Sequence, residues 1–219
     1  MSTLVIIVRY RANYGANQAR FLFISKGLSK MEKKRLILIG NKPFSSDTLC
    51  NEIDSYDFIV RVNRMNNLYK AGTRVDGYYL GMWRDFRDIW HGGEHRDRIK
   101  DAKVVFACPI IYRTTEYIFD YITKEQYDNI ELIDINASRK GIGTMYPTST
   151  ISVLYHLLNS HWTDEYDITL TGVDIEGRGD LFRADREWNT TTHVMSGDDE
   201  EKYLRNLVED GEIKFLESV

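Results

Sequence analysis

Short apolar, largely β-branched runs recur along the chain, and their rhythm restricts the fold more than any other feature. They read "RLILIG" (35–40), "DFIVRVN" (57–63), "DGYYLGM" (76–82), "KVVFACP" (103–109), "NIELIDI" (129–135), "DITLTGVD" (167–174) and "EIKFL" (212–216). Each run suits one strand, and stretches of helical character separate several of them. That alternation predicts an α/β fold: a single Rossmann-like domain with a mainly parallel central sheet flanked by helices. No repeat, Pro-rich linker or low-complexity segment divides the chain.

A length of 219 residues fits one ordinary domain, and an apolar share of 42% is ample for its core. The net charge of −4 leaves no basic excess to neutralise phosphates, which argues against a nucleic-acid partner. Cys50 and Cys108 lie beside apolar runs and read as small core residues, not as a metal or disulfide framework. "TLVIIVRY" (3–10) is too short for a membrane span, and no later run approaches the ~18 apolar residues that a span needs. A cytoplasmic protein is therefore expected. Met31 opens "MEKKRLILIG" like a natural start, so residues 1–30 read as an N-terminal extension or upstream sequence ahead of a domain at 31–219.

Two helices stand out. After Pro147, the residues Ile151, Leu154, Tyr155 and Leu158 fall on one face, and "PTST" offers hydroxyl caps, so the helix should begin near Thr148 or Ser149. In "SGDDEEKYLRNLVEDG" the buried stripe is Tyr203, Leu204, Leu207 and Val208. Asp198 and Glu201 form an approximate capping pair, and Gly211 is the stop. "HGGEHRDRIKDAK" (91–103) reads as a solvated helix or loop. Residues 175–197 are long, glycine-bearing and aperiodic, as expected of a lid.

The chemistry-bearing residues gather at the ends of the predicted strands. Gly40 and Asn41 follow the first run, with a residue that admits close backbone approach beside an amide that donates and accepts. Arg61 and Asn63 end the second, so two parallel strands would bring two amides to one edge of the sheet, the ligand-binding side of an open α/β fold. Thr148, Ser149 and Thr150 open a helix whose exposed amides suit a phosphate or carboxylate. Gly172 and Asp174 close the sixth run; Asp174 with Glu176 is too short a pattern to predict a metal site. His193 is the best base in the chain, since imidazole titrates near neutrality.

Together these stretches resemble a sialyltransferase. "LILIGNKPFSSDTLCNEIDSYDFIVRVNRMNN" is similar to the large sialyl motif of the animal-type enzymes of glycosyltransferase family 29. The bacterial family 42 enzymes have a related opening, of which Gly40 and Asn41 are kept. "GTMYPTSTISVLYHLLNSHWTDEYDITLTGVD" resembles the small motif, and "HVMSGD" the very short one, with Asp198 where glutamate is usual. The likeness runs in order from about residue 35 to 217. It implies a GT-A-like variant of the Rossmann-like fold, and a donor site for the cytidine monophosphate (CMP) part of an activated acidic sugar. Asn41 and Asn63 would hold the cytidine monophosphate. Thr148, Ser149 and Thr150 would lie near the phosphate, carboxylate or sugar, and His193 would be the base.

Departures from the families bear on the rest. The lid stretch "DIEGRGDLFRAD" lacks the tyrosines that steady the leaving phosphate in family 42. Arg178 and Arg183 are the substitutes expected there, because a guanidinium pairs well with phosphate. The paired cysteines of secretory-pathway enzymes are also missing, which fits a bacterial-style cytoplasmic enzyme at, or away from, the inner face of a membrane. The expected partners are a nucleotide-sugar donor and a glycan or glycolipid acceptor. No cofactor is expected, and CMP is a stabilised leaving group that does not call for a metal. Two rivals stay open: a Mg²⁺-dependent pyrophosphokinase-like enzyme and a non-catalytic nucleotide-binding protein.

Overall fold

The computed structural model describes residues 32–81, 93–109, 118–145, 147–173 and 191–217, without the side chains of 191–197. All seven predicted runs are strands: β1 (Lys34–Ile39), β2 (Phe58–Val62), β3 (Gly77–Leu80), β4 (Val104–Ala107), β5 (Glu131–Leu132), β6 (Tyr166–Thr171) and β7 (Lys214–Phe215). They form one sheet in the order β5-β4-β3-β2-β1-β6-β7, and every pairing is parallel. Parallel pairing obliges each chain segment to return to the same edge, so helices cover both faces of the sheet.

Strand β1, paired on both sides, shows why its sequence is apolar without alternation. Leu36, Ile37, Leu38 and Ile39 of β1 are all at most 2% exposed, and each contributes about 1.5–3 kcal/mol over an exposed side chain. Leu36 and Leu38 face one core layer with Phe58, Val60, Ile151, Leu154 and Leu157. Ile37 and Ile39 face the other layer with Phe44, Ile53 and Ile59. The edge strands β5 and β7 are only two residues long, which leaves little unpaired backbone for another chain to extend.

Among the described residues the helices are α1 (Cys50–Asp54), α2 (Lys124–Asp128), α3 (Ile135–Ile142), α4 (Ser149–Leu158), α5 (Trp162–Glu165) and α6 (Thr191–Glu209). None of them is long and apolar enough to cross a membrane. The charged stretch near residue 95 is a 3-10 helix, Gly93–Asp101, pinned by the fully buried Ile99.

Several expectations need correction. Helix α6 begins at Thr191, so Asp198 and Glu201 lie inside it and cap nothing, and the last seven residues of the expected lid are helical. Val208 is 37% exposed; the buried stripe is Glu200, Leu204 and Leu207, a spacing of four and three. Gly211 does end the helix, with φ of +68° and its N–H on Val208 O. Cys50 and Cys108 are half-buried, not core residues. The N-terminal extension (1–30) and the remainder of the expected lid (175–190) lie outside the described residues.

The direction of α4 follows from what surrounds its end. Trp162, just beyond α4, stacks 5.0 Å from Phe58 at the start of β2, and Lys33 Nζ donates to Thr163 O at 2.6 Å. The C-terminus of α4 therefore lies at the amino edge of the sheet and its N-terminus at the carboxyl edge.

Candidate functional site

Between β1 and β6 the strand order reverses direction, since chain-sequential neighbours run outward from β1 on one side and from β6 on the other. In open α/β sheets such a reversal opens a crevice at the carboxyl ends of the strands. Here Gly40 follows β1 and Gly172 follows β6. Gly40 N–H donates to Thr171 O at 2.9 Å, and Lys42 N–H to Gly172 O at 2.8 Å. A Cβ on Gly40 would lie 2.3 Å from Gly172 O, and one on Gly172 would lie 2.9 Å from Gly40 O. The close approach that Gly40 permits is thus to Gly172, which itself has φ of +65°.

Asn41 comes next, half-buried, and its Oδ1 is shut away from water without a hydrogen-bond partner among the described residues. A buried acceptor left unmatched costs about 1–3 kcal/mol, and such a group at a strand end marks a place where a donor from outside would be welcome. Thr171 Oγ1, at the end of β6, is likewise buried and unmatched among the described residues. Ile39 of β1 pairs with Arg61 of β2, so Asn41 and Asn63 leave neighbouring parallel strands at equivalent levels. That juxtaposition at the carboxyl edge is the one expected from the sequence. Asn63 adopts φ of +48°, with its N–H on Tyr79 O at 3.2 Å and its carbonyl accepting the Tyr78 hydroxyl.

Arg61 goes elsewhere. It is 1% exposed, and it donates through Nε to Arg74 O at 2.8 Å and through Nη2 to Ala71 O at 2.6 Å and Gly72 O at 3.0 Å. Burial pulls its pKa down to about 10, a shift opposed by Asp54 and Asp76. The guanidinium is engaged with the loop after β2, which Asp54 also grips through Thr73 N–H at 2.8 Å.

At the N-terminus of α4, Thr148 occupies the cap position with an extended backbone, yet its hydroxyl makes no capping bond to the helix. Instead the Glu200 carboxylate of α6 accepts the Thr148 backbone N–H. Glu200 is 9% exposed. Burial lifts its pKa to about 7, against the hydrogen bonds from Thr148, which pull it down. A carboxylate is therefore seated where helix amides favour an anion. Thr150 is buried and Ser149 half-buried in the same turn.

His193 lies in the first turn of α6, seven residues before Glu200 in one continuous helix, so the two positions share a helix face about 10 Å apart along the axis. The acidic residue that reaches α4 is Glu200 and not Asp198, which is exposed. Asp174, Arg178 and Arg183 lie outside the described residues. No group of three His, Cys, Asp or Glu that would hold a metal ion occurs among the described residues.

Two residues of the site escaped the sequence reading. One is Glu200, betrayed only by its place on the stripe of Leu204 and Leu207. The other is Asn67, 1% exposed, whose Nδ2 donates to Gly40 O at 2.9 Å and Lys42 O at 2.7 Å while its Oδ1 accepts from Phe44 N–H at 3.2 Å.

No family model matches the sequence, and no curated protein does. Among solved structures, the chain is similar to a mammalian sialyltransferase, at 15% identity and a TM-score of 0.50, over 84% of this chain and 69% of that one. A mammalian sialyltransferase in complex with Gal-beta-1-3GalNAc-ortho-nitrophenol aligns over the same shares at 14% identity and a TM-score of 0.49. At such identity the likeness is one of fold: the seven-stranded parallel α/β sheet is an architecture found in a sialyltransferase.

Proposed function

We propose that the protein is a glycosyltransferase that moves sialic acid or a related acidic sugar from a CMP-activated donor to a glycan hydroxyl, with inversion. The observation that carries the reading is the buried, unmatched Oδ1 of Asn41 at the glycine-lined reversal between β1 and β6. The fold shared with a sialyltransferase and the motif resemblance support the same assignment, at the level of architecture and of residue pattern respectively.

In this reading Asn41 and Asn63 bind the nucleotide, and the turn at Thr148, Ser149 and Thr150 lies near the donor's anionic groups. The acceptor hydroxyl attacks the anomeric carbon as the bond from that carbon to the phosphate oxygen breaks. His193 takes the hydroxyl proton, and CMP departs with the bonding pair. The transition state has oxocarbenium character, so the protein's contribution is to align the reactants and neutralise the phosphate. Arg178 and Arg183 are assigned that neutralising role.

The test is calorimetric titration with CMP, UMP, GDP and ATP, each with Mg²⁺ and with EDTA. Selective CMP binding that survives EDTA is the expected result. ATP binding that requires Mg²⁺, with CMP silent, overturns the reading in favour of a pyrophosphokinase-like enzyme. His193→Ala should keep CMP binding and lose transfer.

A further inference from the structure

We propose that Asn67 is a positioning residue for the nucleotide site, holding the 40–44 loop in the shape that presents Asn41. The inference rests on the reading of the carboxyl edge as a nucleotide site and names a residue outside the strand-end pair that the motif supplies.

The geometry is that of a clamp. Without tertiary help, a loop leaving a buried strand would have to satisfy its polar backbone with water. Here one amide side chain satisfies three groups of that loop: it donates to the carbonyls of Gly40 and Lys42 and accepts the N–H of Phe44. Those contacts bracket Asn41 on both sides. Phe44, 1% exposed in the layer with Ile37 and Ile39, anchors the far end of the loop. No other residue type supplies two donors and an acceptor from so short a stem.

Asn67 is in turn held from below. Its own carbonyl accepts Ala71 N–H at 2.7 Å and Lys70 N–H at 3.1 Å. The carbonyl of Ala71 receives Arg61 Nη2. Arg61 therefore reaches the 40–44 loop through the 67–71 turn, and its buried position in β2 becomes intelligible as support for Asn67. The segment carrying this clamp adopts the left-handed region at three residues other than glycine: Asn63 (φ +48°), Met65 (φ +54°) and Tyr69 (φ +74°). Backbone conformations of that kind cost free energy and persist where the surroundings impose them, most often around binding sites. A turn that served only to connect β2 to β3 would have no need of them.

The experiment is CMP titration of Asn67→Ser beside a stability control. Ile122, 1% exposed in a separate core layer, provides the control as Ile122→Val or Ile122→Ala, whichever matches the melting temperature of Asn67→Ser. Hydrogen exchange at the amides of Lys42 and Phe44 reports the loop directly. Expected are about a tenfold or greater loss of CMP affinity in Asn67→Ser, faster exchange at Lys42 and Phe44, and a control that stays within about twofold of the wild type. Unchanged CMP affinity in Asn67→Ser, or an equal loss in the stability-matched control, overturns the inference alone. A wild-type protein that does not bind CMP overturns the reading of the site and, with it, the inference.

Discussion

The Glu200 carboxylate accepts the backbone N–H of Thr148, and this bond ties the helix that bears His193 to the N-terminus of α4. Its carboxyl holds a proton more readily than an ordinary glutamate because burial outweighs the bond. The unfolded chain ionises this group near 4.5 and the folded chain near 7. Between those values the native state keeps a proton that the unfolded chain has lost, so stability falls as pH rises through the window and levels off above it. Glu200→Gln keeps an oxygen for Thr148 and should abolish that slope, gaining at most about 3–4 kcal/mol above neutrality. Melting temperature against pH for both proteins is the check.

Glu131 works in the opposite sense. Burial raises its pKa, but hydrogen bonds from His156 Nε2 at 2.6 Å and Trp162 Nε1 at 2.9 Å outweigh that, and the carboxyl ends below its usual range. Its stabilisation is present above the unfolded value of 4.5 and disappears as pH falls through the lower folded value. Glu131→Gln should lower stability near neutrality and flatten the acid limb of the same melting curve.

Asn41→Ala separates binding from stability. The substitution removes a buried acceptor that has no partner among the described residues, so the melting temperature should hold or rise. CMP affinity should fall about tenfold or more. Calorimetry and thermal melts on one preparation decide the matter; a variant that binds CMP normally removes Asn41 from the site.

Gly172→Ala should destabilise by about 2–5 kcal/mol, through left-handed strain and a clash with Gly40. Chemical denaturation measures it. Gly40→Ala meets Gly172 O at a still shorter 2.3 Å and should be at least as damaging.

The sheet was legible because each strand is a contiguous apolar run, and burial on both faces requires no more than that. Every strand but β1 came out shorter than its run, and β5 and β7, at two residues each, lie at edges where one side has no partner. The start of α6 was hidden: "NTTTHVMSGDD" carries three threonines in a row and a glycine, which favour other conformations when judged locally. Glu200 was hidden because a carboxylate on an apolar stripe reads as a break in it. Arg61 looked like a strand-end ligand because alternation shows where a side chain leaves the strand, and not what so long a side chain then reaches. Asn67 carries no periodic signal at all. Its burial is decided by two loops that meet only in the folded chain.

Because β1 sits at the reversal of strand order, its two neighbours come from distant parts of the chain: Phe58 pairs with Leu36 nearby, whereas Tyr166 pairs with Lys34 across more than half the sequence. Closing so long a loop is slow, and it waits until the later segment has been synthesised. The β2-to-β5 side of the sheet is able to form while the chain is still being made. The seam where Gly40 meets Gly172 is not. Any ribosome-bound fragment that stops short of residue 166 leaves one flank of β1 open as bare, apolar backbone, so this protein's demand on chaperones should peak just before β6 emerges.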